Sequence, residues 1–336
     1  MQRSPDIDKL FENLVQGDRV ALGQAITLVE SSLEAHRPLA QALMNRCLNV
    51  PASTFRFAVS GAPGVGKSTL IEELGAQIVN DGHKLAVLAI DPTSPVTHGA
   101  ILGDKTRMDN LSRNPSVFIR PTPAGQTLGG VADRTREVIA LCEAAGYDMI
   151  CIETVGVGQS ETEAHLMSDF FLLLVLPGGG DDLQGIKKGI VEMADLIAVT
   201  KCDGTYMEAA KQTQRHYTQA VHFFAPKAHG ITTKVLTCSA TERKNIDVIR
   251  DALKNFDEKT QASGFKARNR ADQNVWWLDT RVRQMAQTML LNMPAVQDAY
   301  RGLRSAVQKQ TQSVSSAIGQ LRQIILHTMH KQSGIE

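Results

Sequence analysis

Ten consecutive residues, SGAPGVGKST from Ser60 to Thr69, are the strongest chemical signal in the chain. Gly61, Gly66, Lys67 and Ser68 fit G-x-x-x-x-G-K-[ST], with Ala62, Pro63, Gly64 and Val65 between them and Thr69 behind. A chain of phosphates needs these residue types. Glycines let backbone N–H groups turn inward without a Cβ clash. A helix starting at the same place adds positive potential. Lys67 can bridge the outer phosphates, and the Ser68 hydroxyl can ligate Mg²⁺. A plain glycine-rich turn uses similar residues, but here an apolar run, FRFAV, precedes the loop and an amphipathic stretch, STLIEELGAQIV, follows it. That strand–loop–helix context marks a phosphate loop.

Such a loop needs acids nearby to hold the metal. LAVLAID ends in Asp91 and DMICIE ends in Glu153. Each closes an apolar run, at the strand edge where open α/β sheets bind ligands. Asp104, in ILGDKTRM, lies in a connection too long to be a simple turn. Lys67, Asp91 and Glu153 are the expected catalytic residues; Ser68, Asp91, Asp104 and Glu153 are the expected metal set. TVGVGQSETE follows Glu153, and Gly156 and Gly158 give it the freedom that a loop sensing the terminal phosphate requires.

A third element would read the base. IAVTKCDG carries Lys201 and Asp203 just beyond an apolar run. A carboxylate there can accept both the ring N–H and the exocyclic amine of guanine; adenine offers an acceptor instead and leaves it unpaired. The Lys201 stem can cover the face of the base. The usual motif begins with Asn, whereas this chain has Thr200. Further on, LTCSA ends in Ser239-Ala240, followed by Thr241, and backbone N–H groups there are placed to meet the guanine carbonyl oxygen.

These motifs must be positioned by a scaffold. Between residues 54 and 260 seven short apolar runs alternate with helical segments: FRFAVS, KLAVLAI, SVFIRP, DMICIE, FFLLLVL, LIAVT and KVLTCSA. Most are nearly continuous in Val, Ile and Leu, as buried parallel strands are. The expected fold is α/β, a mostly parallel, doubly wound sheet over 51–260. Residues 1–50 read as a helical extension, DKLFENLVQ, VALGQAITLVESSLE and LAQALMNRCL, with Asp18 capping the second helix. Residues 261–336 read as a polar connection, ASGFKARNRADQ, and then amphipathic helices. Trp276 and Trp277 either pack these helices down or anchor a subunit contact.

Composition narrows the rest. The 336 residues carry a net charge of +1, so no global field recruits nucleic acid or an anionic membrane. Phe170 to Leu176 is far short of the roughly 20 residues of a membrane span. The five cysteines include no C-x-x-C pair, which suits a reducing compartment, and the expected location is cytoplasmic. Asp81-Gly82-His83 begins like a cobalamin-binding D-x-H motif but lacks its closing glycine, and reads as an ordinary turn.

Several long strings, GAPGVGKST, AIDPTSPVTHGAILGDKTRM, IETVGVGQSE and GGGDDLQGIKKGIVEMADLIAVTKCDG, resemble the MeaB/ArgK family of P-loop GTPases, SIMIBI-class proteins, over nearly the whole chain. The resemblance implies GTP/GDP and Mg²⁺ as ligands. It implies a homodimer with the last helices as its arm. Its implied client is an adenosylcobalamin-dependent acyl-CoA mutase, above all of the methylmalonyl-CoA type, whose cofactor loading such proteins gate. It also implies that Asp182, Lys187 and Lys188 form a switch that reads the partner. Without an obvious water-positioning Gln or internal arginine finger, hydrolysis should be slow until a partner supplies one. The competing reading is an ATP-using kinase of a periplasmic amino-acid transport protein, which Asp203 and Ser239-Ala240 argue against.

Overall fold

The computed structural model of the protein describes residues 6–51, 53–91, 108–123, 130–154, 160–178 and 188–333. Three helices open the chain: α1 (Ile7–Val15), α2 (Arg19–Val29) and α3 (Arg37–Cys47). Asp18 caps α2 as expected, accepting from the Val20 and Ala21 amides at 2.7 and 3.4 Å; Asp6 does the same for α1. The second helix ends at Val29 instead of running to Glu34. Ser31 explains the stop: its hydroxyl accepts from the Leu33 amide at 3.2 Å and pairs with His36 Nδ1 at 2.8 Å, so a local turn displaces the next helical one.

The sheet contains β1 (Phe55–Gly61), β2 (Leu85–Asp91), β3 (Val117–Pro123), β4 (Met149–Thr154), β5 (Phe170–Val175), β6 (Leu196–Val199) and β7 (Lys234–Thr237). These match the seven apolar runs. Their order is β3-β2-β4-β1-β5-β6-β7, and every pairing is parallel. The connecting helices are α4 (Lys67–Asn80), α5 (Asp109–Arg113), α6 (Gly130–Ala144), α7 (Ser160–His165), α8 (Lys188–Met193) and α9 (Met207–Val221). From β1 the chain winds outward to β2 and β3, returns through β4, and then builds β5 to β7 on the other side. The strand order therefore reverses at β1, which opens a ligand crevice at the carboxyl end of the central strand.

One sheet face buries Phe57, Val59, Val87, Leu172 and Ala198 against Leu70, Leu74 and Ile78 of α4 and Ile249, Leu253 and Phe256 of α10 (Ile246–Ala262). Alternate strand residues face the other way, where α6 packs on β2 and β3 and α9 on β6 and β7. The three amino-terminal helices pack on α6. Burying an aliphatic side chain of this kind contributes about 1.5–3 kcal/mol.

By contacts the chain forms two units, residues 1–269 and 270–336. The connection expected over 262–273 is far shorter. Only Ser263 and Gly264 interrupt the helices, Gly264 at φ +69°, and α11 (Phe265–Leu291) begins at once. A left-handed glycine ends α10 cheaply, and the Lys, Ala, Arg and Gln of the polar stretch are good helix formers. In the second unit α12 (Pro294–Gln308) and α13 (Val314–Ser333) pack against each other. The Trp276 and Trp277 rings meet edge to face at 4.9 Å; Trp277 is buried and Trp276 is 42% exposed. No helix among the described residues is long and apolar enough to cross a membrane.

Candidate nucleotide site

The phosphate loop leaves β1 at the crevice. Gly61 stands at φ +151°, and a Cβ there would meet the Leu174 carbonyl at 2.5 Å and the Val65 side chain at 3.0 Å. No other residue fits, because backbone atoms of a core strand cannot withdraw. Gly64 and Gly66, at φ +78° and +100°, have open space around them. Their requirement is conformational: the left-handed region is costly for residues with a Cβ. Ala62, Pro63, Gly64 and Thr69 lie exposed, whereas Val65 is fully buried and seats the loop on the sheet.

Gly66 is also the N-cap of α4, and no side chain caps that helix. The first-turn amides of a helix lack intrahelical acceptors and carry the positive end of its dipole. Here they open onto the loop. Lys67 folds back across it, donating from Nζ to the Gly61 carbonyl at 2.8 Å and the Ala62 carbonyl at 3.2 Å. The ammonium thus lies over the cradle.

Ser68 and Glu153 meet across the β1–β4 pairing. The buried Ser68 hydroxyl donates to Glu153 Oε1 at 3.0 Å, and Glu153 is 6% exposed. Behind them Thr154 donates to Ser60 at 2.9 Å. A carboxylate and a hydroxyl this close are hard oxygen donors of the kind a small dication takes. Asp91 closes β2 in register with Pro123; its side chain, and the residues Asp104, Gly156, Asp182 and Lys187, lie outside what is described. Lys188 opens α8 and pairs with Glu192 at 3.5 Å on an exposed face. Among the described residues no three His, Cys, Asp or Glu side chains converge on a metal position.

The base-reading turn follows β6. Lys201 adopts φ +53°, unusual for a residue with a Cβ, and throws its side chain outward. The Cys202 amide donates to the Cys238 carbonyl at 3.0 Å, tying this turn to the one after β7. Asp203 accepts a hydrogen bond from the Ser239 hydroxyl, which in turn accepts from the Glu242 amide at 3.1 Å. Ser239 is fully buried. This orients the Asp203 carboxylate from behind. The Ser239 backbone N–H, however, is committed to the Lys244 carbonyl at 3.1 Å, so the expectation that it faces the base is revised. The amides of Ala240 and Thr241 bond no described backbone group and are the ones left to meet a carbonyl oxygen. Burial pushes the Cys238 thiol up to about 12, which leaves it an inert core group, while Cys202 is the spacer in the turn. Asp81-Gly82-His83 is a turn between α4 and β2, with His83 Nδ1 2.8 Å from Asp148.

A parallel doubly wound sheet with a glycine-built phosphate loop at its central strand, and a carboxylate turn two strands away, defines a P-loop GTPase. The comparisons with known proteins place it more narrowly. Residues 22–295 match the family described as methylmalonyl Co-A mutase-associated GTPase MeaB. A putative GTPase of Caulobacter vibrioides is 45% identical over 94% of this chain and 97% of its own length. GTPase ArgK of Escherichia coli is 44% identical over 94% and 95%. The mitochondrial methylmalonic aciduria type A homolog of Mus musculus is 42% identical over 87% and 73%. Among solved structures, an LAO/AO transport system kinase superposes with a TM-score of 0.78 at 36% identity, over 95% of this chain and 97% of that one. The chain belongs to the MeaB family, and it is a GTPase that binds guanine nucleotide.

Proposed function

We propose that this GTPase is Mg²⁺-dependent and serves as a chaperone for an adenosylcobalamin-dependent acyl-CoA mutase of the methylmalonyl-CoA type, gating cofactor loading and protecting the enzyme. The observation that carries the nucleotide part is the Ser239–Asp203 hydrogen bond, at the same sheet edge as Lys67, Ser68 and Glu153. It holds a carboxylate where guanine, and not adenine, supplies two donors. The mutase part is supported by the family's description and by the name of the mouse relative. The kinase reading is not favoured: a carboxylate held for guanine is at odds with ATP, and curated relatives at 44–45% identity are named GTPases.

In this reading the loop amides and Lys67 hold the phosphates. Ser68 and Glu153, with Asp91 and Asp104, are the oxygens that would hold Mg²⁺, whose chemistry is to neutralise charge on the phosphates. Asp203 selects the base, Lys201 covers it, and Ala240 and Thr241 meet its carbonyl. Gly156 belongs to the loop that senses the terminal phosphate. Asp182, Lys187 and Lys188 form the switch that reads the partner. The five free cysteines suit a reducing cytoplasm.

The working unit in this proposal is a homodimer formed through the 261–336 arm, with 1–50 and 51–260 as helical extension and GTPase domain. On α11, Val275, Leu278, Val282, Met285 and Met289 recur at alternating three- and four-residue steps, and each is 49–63% exposed. That is the spacing of a helix-pairing seam.

The test is the GTP hydrolysis rate of the purified protein with and without a methylmalonyl-CoA-type mutase. A slow basal rate raised by at least about tenfold is expected, since partner-supplied groups are worth 10³–10⁵ in related GTPases. Fast hydrolysis alone, unchanged by the mutase, sinks the chaperone reading.

A further inference from the structure

Asp104 stands four residues ahead of Met108 in the chain, and Met108 leads directly into α5. That short helix is held from outside. Met108 is its N-cap and offers no side-chain acceptor, and the first-turn amides of a helix have no partner within it. Glu72 of α4 supplies one from 38 residues away. Its Oε1 accepts from the Asn110 amide at 3.0 Å and from the Leu111 amide at 3.1 Å.

Ser68, Glu72 and Gly75 share one face of α4, at steps of four and three residues. Ser68 meets Glu153, Glu72 holds α5, and Gly75 lets α5 lie close. A Cβ at Gly75 would meet the Leu111 side chain at 2.8 Å and that of Leu85 at 2.9 Å. Met108 and Leu111 are buried. Five residues do not make a stable helix unaided, so these contacts decide where α5 sits. An acid is a costly choice at this place: Glu72 Oε2 is buried with no hydrogen-bond partner among the described residues, a penalty that an apolar side chain would avoid. What the carboxylate adds is a charged acceptor for two amides at a single point.

Glu72 lies four residues, about 6 Å of helix, beyond Ser68. Asp104 can lie no more than about 14 Å from Met108, the reach of four extended residues. An anchor at Glu72 therefore limits how far Asp104 can stray from the Ser68–Glu153 pair. We infer that Glu72 is a positioning residue for Mg²⁺ binding, acting through Asp104 by fixing the start of α5 on the helix that also carries Ser68. The inference rests on the proposed assignment of Asp104 to the metal and adds the residue that holds it within reach.

The experiment uses the full chain as wild type, Glu72→Ala, Glu72→Gln, Asp104→Asn and the Glu72→Ala/Asp104→Asn double variant. Affinity for a non-hydrolysable imido analogue of GTP is measured in EDTA and across a Mg²⁺ titration. Glu72→Ala should raise the half-saturating Mg²⁺ concentration by about tenfold, the scale of one hydrogen bond to a charged group, and leave the affinity in EDTA at the wild-type value. Glu72→Gln keeps a neutral acceptor and should fall between the two. The double variant should need no more Mg²⁺ than Asp104→Asn alone, because residues acting in series are not additive. A wild-type Mg²⁺ requirement in Glu72→Ala, an equal loss of affinity with and without Mg²⁺, or additive shifts in the double variant would each overturn the inference. If Glu72→Ala does not fold, Glu72→Gln and its own double variant make the same comparison. A wild-type Mg²⁺ requirement in Asp104→Asn would instead overturn the metal assignment on which the inference rests.

Discussion

The two edges of the sheet spend their charges differently. At the amino edge they are closed off against one another. Arg56 forks onto Glu143 at 2.7 and 2.8 Å, and Thr54 gives that carboxylate a third bond at 2.6 Å. Asp169 takes the Arg56 amide. Lys266 reaches Asp257 and the Thr54 carbonyl. Lys227 uses its three protons on the Met193 and Ala194 carbonyls and on Asp195, which also accepts from His229 and the Phe171 amide. At the carboxyl edge the groups are gathered around the phosphate loop and the base-reading turn. Lys67 rests on loop carbonyls, α4 starts uncapped, and Lys201 points outward. The amino edge keeps β5 and β6 in place; the carboxyl edge keeps donors and acids in position for a ligand. One fold thus places stability and function at opposite ends of the same strands.

Substitutions at the two edges should therefore separate. The largest effect is expected from Lys67→Ala: GTP turnover falls by about 10²–10³-fold, as when a preorganised donor is lost, while the melting temperature stays near wild type. A large drop in melting temperature would show that the carboxyl edge also holds the fold. Next, Asp203→Asn should lower GDP affinity by about 10³-fold and raise affinity for xanthosine diphosphate, measured by calorimetry. Unchanged preference between the two bases would remove Asp203 from recognition.

The amino edge should respond in the opposite sense. Asp195→Ala leaves Lys227 and His229 without their carboxylate and should cost about 3–5 kcal/mol of stability, with GDP affinity retained by the protein that remains folded. Its pH dependence has a definite sign. Burial alone would push the Asp195 carboxyl up, but the hydrogen bonds from His229, Lys227 and the Phe171 amide, with the Lys227 charge, together hold it below its usual value. A depressed carboxylate adds stability above its unfolded pKa, and that stability is lost as pH falls through the folded value. Acid titration of wild type against Asp195→Asn should show the difference closing below about pH 4. Burial lowers His165, so it opposes folding increasingly as pH drops below 6.5.

Two smaller effects sharpen the contrast. Leu278→Glu with Met285→Glu should convert a dimer into the 36.6 kDa monomer in sedimentation with little change in basal turnover; a wild-type monomer would remove the pairing seam. Arg243 holds Glu73 at 2.9 Å from an exposed position near the base site. Arg243→Ala should shift stability by less than about 1 kcal/mol, because water already screens the pair; a larger shift would mean that this surface pair braces α4.

Much of this was legible along the chain, for identifiable reasons. Phe170 to Val175 reads as a strand because a parallel strand covered on both faces has no polar side to show. Residues 61–68 read as a phosphate loop because only that order of glycines, Lys and Ser builds the cradle. Asp18 reads as a cap because its partners are two and three residues away. The errors were local competitions, at Ser31 and at Gly264, where a side chain or a single left-handed residue decided an element's end.

The sequence by itself determined the alternation of strand and helix, the residue types of the phosphate loop, and the acids at strand ends, since these depend on neighbours within a few positions. Only the tertiary structure decided which groups share a proton. Ser68 meets Glu153 across 85 residues, Ser239 meets Asp203 across 36, and Thr200 reaches Val65 across 135. Hydrogen bonds act over about 3 Å, and sequence order says nothing about which distant strand ends lie that close. Strand order does, and it arises from burying the whole sheet at once.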